Sequence, residues 1–232
     1  MQLLKDISSS LRHLFFPHVC KSCFAEIAQA DQYICARCIA ELPYTGFSHI
    51  DANPVEKIFF GRVRVEAATS LLFFTPASTV QQLIHQIKYK GQQKLAIYLG
   101  KMMGLEVLGS GRFPGLDLVV PLPLFRSREK QRGYNQATLL GMGISEATGI
   151  PLDPKAIKRV RASATQTRKT RAERWQNMDG IFSVSPDLAE NRHILLVDDV
   201  ITTGATLDAC ASALQRVKGT RVSIITLGYA MQ

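Results

Sequence analysis

Residues 194–206 constrain this chain more than any other stretch. Ile194-Leu195-Leu196-Val197 is an apolar run that reads as a strong strand. Asp198 and Asp199 follow, then Val200-Ile201, then Thr202-Thr203-Gly204-Ala205-Thr206, with a helix expected to open at Leu207. Such a strand carries two carboxylates to the end of a sheet, where they can accept hydrogen bonds from a vicinal diol. The threonine-rich run then meets a helix N-terminus, whose outward N–H groups favour an anion. Gly204 permits close backbone approach. Diol acceptors a few residues from an anion cradle match a ribose 5-phosphate. A Walker-type site would need a G-x-x-x-x-G-K-[ST] run, which the chain lacks. Phosphate-receiving regulators share the acidic strand end but have no use for the threonine run. A plain helix cap needs one Thr or Asp, not this series.

The rest of the chain supplies a frame for that loop. Residues 63–74 contain strand-like stretches. Residues 78–88 read as a helix, with Val80, Leu83, Ile84 and Ile87 on one face. Residues 94–107 read as a second helix, and 116–120 as a short buried strand ending in Pro121-Leu122-Pro123. A helix over 134–148 is closed by Gly149. Short strands are expected at 157–161 and 182–184, with a polar loop over 162–170. A helix over 205–217 and a strand over 221–227 end the series. Strands separated by helices predict an α/β fold with a parallel sheet. Ligands in such sheets bind where strands end and helices begin. Lys88-Tyr89-Lys90-Gly91 reads as an ordinary helix end, with Lys complementing the dipole and Gly capping it.

Four of the five cysteines fall early. Cys20-Lys21-Ser22-Cys23 and Cys35-Ala36-Arg37-Cys38 are two CxxC knuckles. Each turn aims two thiolates at one point, and together they supply the four sulfurs that Zn²⁺ prefers. A closed four-sulfur sphere makes the metal structural. Disulfides and a redox CxxC are the competing readings. The expected cytoplasmic setting disfavours the first, and a redox motif would occur once inside a strand–helix unit. His18 is a remote alternative ligand. His13, His49, His85 and His193 read as structural, and Cys210 as core. Residues 1–50 therefore read as an N-terminal helix plus a zinc module, with a turn-rich joint at Asp51-Ala52-Asn53-Pro54. Residues 51–232 form the larger domain.

The net charge is +9 and the sequence pI about 9.5, which suits an anionic partner. Most of that excess lies in residues 126–174, which hold twelve Lys or Arg against four Asp or Glu. No apolar run is long enough to cross a membrane, and the N-terminus is a poor secretory signal, so a cytoplasmic protein is expected.

Residues 196–207 resemble the phosphoribosyl pyrophosphate loop of type I phosphoribosyltransferases. With the cysteine module in front, the chain resembles the ComF competence family. Val119-Val120-Pro121-Leu122-Pro123-Leu124, followed by Arg132-Gly133-Tyr134-Asn135-Gln136-Ala137, is similar to that family's central motif. Thr165-Gln166-Thr167 with Arg171, Arg174 and Asn177 is similar to its next one. The resemblance implies a type I phosphoribosyltransferase-like parallel sheet with helices on both faces, preceded by the four-cysteine zinc module. It implies that Asp198 and Asp199 hold the ribose hydroxyls and that residues 202–206 hold the 5-phosphate. Mg²⁺ would bridge to the pyrophosphate through the ligand or water. The turn at 121–124, with Leu122 and Pro123, would be the pyrophosphate loop, and Arg126, Arg128 and Arg132 would neutralise charge there. A loop over 161–174 would close over the site. The implied reaction is displacement of pyrophosphate from C1 of the ribose by a nitrogen nucleophile.

Three functions fit these residues. One is a ComF-like role in DNA uptake, handling single-stranded DNA with a competence helicase or DNA-processing protein. The second is a metabolic phosphoribosyltransferase of nucleotide salvage. The third is a non-catalytic single-stranded DNA binder, for which Phe125, Tyr134 and Trp175 offer a thin stacking platform.

Overall fold

The computed structural model describes residues 18–29, 31–161 and 180–231. The expected N-terminal helix, Thr165-Gln166-Thr167, Arg171, Arg174, Trp175, Asn177 and most of the expected closing loop lie outside them. In chain order the elements are α1 (Ala36–Ala40), α2 (Pro54–Phe59), β1 (Ala68–Phe74), α3 (Thr79–Tyr89), α4 (Gln93–Ser110), β2 (Leu118–Pro121), α5 (Arg126–Arg132), α6 (Gln136–Thr148), β3 (Ile157–Arg159), β4 (Phe182–Val184), β5 (His193–Ile201), α7 (Ala205–Leu214) and β6 (Arg221–Ala230). The main sheet runs β1-β6-β5-β2 and is parallel throughout, while β3 and β4 form a separate antiparallel pair.

Strand alternation divides the core into two layers. Val119, Leu195, Val197, Ile225 and Leu227 pack with α3, α4 and α6. Val120, Ile194, Leu196, Val222 and Ile224 pack with α2, α7 and the β3–β4 pair. Helices therefore cover both faces of the parallel sheet, as the alternation of strand and helix predicts. Cys20, Ile27, Ile34, Cys38 and Leu42 of the cysteine module join the first layer, so its core is continuous with that of α3 and α4. Among the described residues, no helix is long and apolar enough to cross a membrane.

Two elements differ from the sequence reading. The turn-rich joint continues into α2, because Asn53 caps its first turn at Val55 N and Glu56 N and Pro54 occupies its first position. The cationic stretch at 126–132 is helical, although it buries no residue and so carries no apolar period.

Helices α4 and α6 touch backbone to backbone through glycine. An added Cβ on Gly143 would lie 2.0 Å from Ile97 O and 2.7 Å from Lys101 N, and one on Gly100 would lie 2.2 Å from Leu140 O. Gly143→Ala must push the helices apart and is expected to cost about 3 kcal/mol. Urea unfolding should show a lower midpoint at unchanged slope, and an unshifted midpoint would refute the contact. The packing matters to the site because α6 begins at Asn135, which holds the end of β2.

Candidate functional site

The direction of the crossovers makes the crevice. From β5 the chain passes through α7 to β6, on one side. From β2 it passes through α5 and α6 to Leu152, which bridges Val119 on the other side. The C-terminal ends of β2 and β5 are thus a topological switch point, where open α/β sheets bind ligands. Leu122 N–H donates to Val197 O at 2.8 Å, so the turn after β2 starts where β5 runs on past it. Asn135 clamps this turn. Its Nδ2 donates to Leu122 O at 3.0 Å, while its Oδ1 caps α6 at Ala137 N, 3.0 Å away. Leu122 is buried and Pro123 half-buried at the rim.

Strand β5 extends through Ile201, four residues beyond the apolar run, because it stays paired with β6 as far as Ile201 and Tyr229. Asp198 and Asp199 are therefore strand residues. Alternation turns Asp199 towards α3 and Asp198 towards α7 and β3. Lys88, at the end of α3, meets Asp199 Oδ2 at 2.7 Å. Asp199 N–H donates back to Asp198 Oδ1 at 2.8 Å. Burial, and then the neighbouring Asp199 carboxylate, push the Asp198 carboxyl well above the usual range, against the pull of the Asp199 amide and Lys88. Arg159, on β3, lies within electrostatic reach of Asp198.

Val200 and Ile201 finish the strand with apolar side chains packed into the two core layers, leaving their backbone as their part in the site. Thr202 and Thr203 are exposed and Thr206 is half-buried. Helix α7 opens at Ala205, where the helix expected over 205–217 begins. Its N-cap is Gly204, which makes no side-chain cap hydrogen bond. The first intrahelical acceptor is Gly204 O, which takes Asp208 N–H at 2.8 Å. The amides of Ala205, Thr206 and Leu207 therefore have no intrahelical partner. Gly204 is required twice over. Its φ is +70°, and an added Cβ would lie 2.4 Å from Ile58 Cγ2. Gly204→Ala is expected to distort the loop at a cost of about 2 kcal/mol. Loss of ribose 5-phosphate binding in titration calorimetry, with thermal unfolding still cooperative, is the expected result. Undiminished binding would count against it.

The three arginines differ in placement. Arg126 and Arg128 are exposed on α5. The Arg132 guanidinium lies 5.5 Å over the Tyr89 ring and donates to Gln136 Oε1. Tyr134 anchors the same stretch by donating its hydroxyl to Ile87 O. Sequence reasoning missed three groups at this site. Lys88 reads as a helix-end charge, Arg159 is one of the many cations of residues 126–174, and Arg62, which donates to Thr203 O at 2.9 Å, carries no local signal. The excess of cations in an otherwise ordinary α3 terminus was the one available signal for Lys88.

In the cysteine module, the Sγ atoms of Cys20, Cys23, Cys35 and Cys38 all lie within 4.8 Å of one another. A tetrahedron with Zn–S bonds of about 2.3 Å has S···S edges of about 3.8 Å. Cys23 and Cys35 are 3.7 Å apart. Cys20 Sγ accepts the amides of Ser22 at 3.4 Å and Cys35 at 3.3 Å. Burial alone would raise the Cys20 thiol, but these amides and that of Cys23 outweigh it and bring it down to about 6. The four sulfurs can hold a metal ion. His18 is not among them, since its Nε2 engages Gln32 O. His193 is a satisfied core residue, bonded to Pro114 O at 3.1 Å and Ser223 Oγ at 2.9 Å.

Residues 120–232 match the family model of the phosphoribosyl transferase domain. The chain is 31% identical over 201 residues to the DNA utilization protein YhgH of Escherichia coli O157:H7, covering 85% of this chain and 84% of that one. It is 29% identical over 229 residues to competence protein F of Haemophilus influenzae, covering 93% and 99%. It is 37% identical over 112 residues to competence protein ComFC of Bacillus subtilis, covering 47% and 43%.

Proposed function

The chain belongs to the ComF competence family of the phosphoribosyltransferase superfamily, and from that premise we propose that it binds phosphoribosyl pyrophosphate in the β2–β5 crevice and acts in DNA uptake during natural transformation. The observation that carries this reading is the uncapped start of α7, directly after paired carboxylates at the switch point of the sheet. Helix amides with no intrahelical partner and with the dipole behind them suit the 5-phosphate. A ribose laid across the end of β5 brings its hydroxyls to Asp198 and Asp199. The turn at 121–124, held by Asn135, faces the pyrophosphate, with Arg126 and Arg128 free to approach it and Arg132 set back on Tyr89. Carboxylate oxygens are hard donors, so Asp198 and Asp199 would suit a Mg²⁺ ion arriving with the pyrophosphate. That ion supplies neutralisation of the leaving group.

The reaction supported is transfer of the phosphoribosyl group to a nitrogen nucleophile, with pyrophosphate leaving from C1. Positive charge develops on the ribose ring, and the two carboxylates lie where they stabilise it. The four-cysteine module holds structural Zn²⁺. The basic character of the chain suits single-stranded DNA, and a competence helicase or DNA-processing protein is the partner this role calls for. The cytoplasm is the compartment such a reaction requires.

Titration calorimetry with phosphoribosyl pyrophosphate, with and without Mg²⁺, tests the binding. Binding that strengthens with Mg²⁺ is expected, and no heat under either condition would refute it. The biological role is tested separately by deleting the gene, since a deletion strain that transforms normally would remove DNA uptake from the reading.

A further inference from the structure

The ribose-phosphate loop is gripped at both ends by cations that come from the first half of the chain. At its start, Lys88 Nζ lies 2.7 Å from Asp199 Oδ2, with the lysine side chain 23% exposed and the aspartate 9%. At its far end, Arg62 Nη1 donates to Thr203 O at 2.9 Å. Both residues precede residue 120, where the matched domain begins. Helix α2 adds an apolar wall between them, since Ile58 and Phe59 stand against Gly204.

We propose that Lys88 and Arg62 are the positioning residues of this loop, Lys88 for the sugar and Arg62 for the phosphate. The inference rests on the ribose-phosphate reading of the crevice and adds residues to it. A carboxylate has two oxygens. With Oδ2 held by an ammonium, the side chain is fixed and Oδ1 is left as the acceptor for a hydroxyl. Without Lys88, the Asp199 carboxylate loses the cation 2.7 Å from it and turns away from Asp198. Arg62 acts through peptide geometry. The C=O and N–H of a trans peptide point to opposite sides. Pinning Thr203 O on Arg62 therefore fixes the Gly204 N–H on the far side. Gly204 is the residue most able to let that peptide flip, with its φ of +70°. Arg62 also faces Asp208, the acidic side chain in the first turn of α7, and offsets a charge that would repel an incoming anion.

The two roles predict different signatures with three probes: ribose 5-phosphate, 2-deoxyribose 5-phosphate and inorganic phosphate. Affinities are measured by calorimetry on the full chain, with thermal unfolding confirming that each variant is folded. Lys88→Met is expected to weaken ribose 5-phosphate by about tenfold, to leave inorganic phosphate unchanged, and so to erase the preference for ribose over 2-deoxyribose. Lys88→Arg should restore that preference. Arg62→Met is expected to weaken all three probes by one common factor, about tenfold, with Arg62→Lys recovering part of it. A Lys88→Met protein that still prefers ribose, or an Arg62→Met protein with undiminished phosphate affinity, overturns the assignment while the ribose-phosphate reading stands. A wild-type protein that binds none of the probes overturns both.

Discussion

Asp198→Asn is expected to raise the melting temperature of the ligand-free protein at neutral pH while reducing phosphoribosyl pyrophosphate binding by about 100-fold. The two effects share one cause. Asp198 sits where burial and the Asp199 carboxylate oppose its charge, so its folded-state pKa lies well above the ordinary value. Below the ordinary value, folded and unfolded chains both hold the proton, and Asp198 costs nothing. As pH rises from there, the folded chain keeps a proton that the unfolded chain has released. Stability then falls, by at most about 1.4 kcal/mol per pH unit, until the folded-state pKa is passed. At neutral pH a penalty has accumulated that a neutral side chain at this position would not carry. Asn keeps an oxygen for the Asp199 amide, which donates to Asp198 Oδ1 at 2.8 Å, and has no proton to lose. Thermal unfolding followed from pH 3 to 8 should show the wild type losing ground against the variant as pH rises, at about 2–4 °C per kcal/mol. Parallel profiles, or a variant less stable at neutral pH, would contradict the assignment.

Removing the metal from the four-cysteine module is expected to have the larger structural effect. Zinc bound by such a module contributes on the order of 10 kcal/mol to folding. Stripping it with a strong chelator should lower the melting temperature by about 20 °C or more. The loss should not stay local. Cys20, Ile34 and Cys38 share a core with α3 and α4, and Gln86 Nε2 donates to Lys21 O at 2.7 Å. Two residues beyond Gln86 stands Lys88, on Asp199. Metal removal is therefore expected to weaken ribose 5-phosphate binding as well. One equivalent of zinc by elemental analysis, released together with the drop in melting temperature, is the expected result. A metal-free protein of unchanged melting temperature would rule the site out. Cys38→Ser provides a genetic version of the same test.

Much of this architecture is legible in short windows of sequence. Val80, Leu83, Ile84 and Ile87 mark the buried face of α3, and all four are buried. Gly149 closes α6 in the left-handed conformation, with φ +75°. The local reading went astray where the deciding contact is distant. Helix α5 has no apolar residue to set a period. Asp198 and Asp199 look like the start of a loop because polar residues end most strands, yet pairing with β6 carries β5 past them to Ile201.

The acidic and threonine-rich stretch at 198–206 and the cysteine knuckles stand out in the sequence alone, because each is built from residues a few positions apart whose geometry follows from backbone rules. Tertiary structure alone decided what faces that loop. Lys88 and Arg62 reach it across more than 100 residues of chain, and Arg62 and Thr203 are separated by 141 positions. Which helix end meets which strand end depends on strand order and on the side each crossover takes. No local period encodes either, so a lysine that reads as a helix-end charge became the partner of the Asp199 carboxylate.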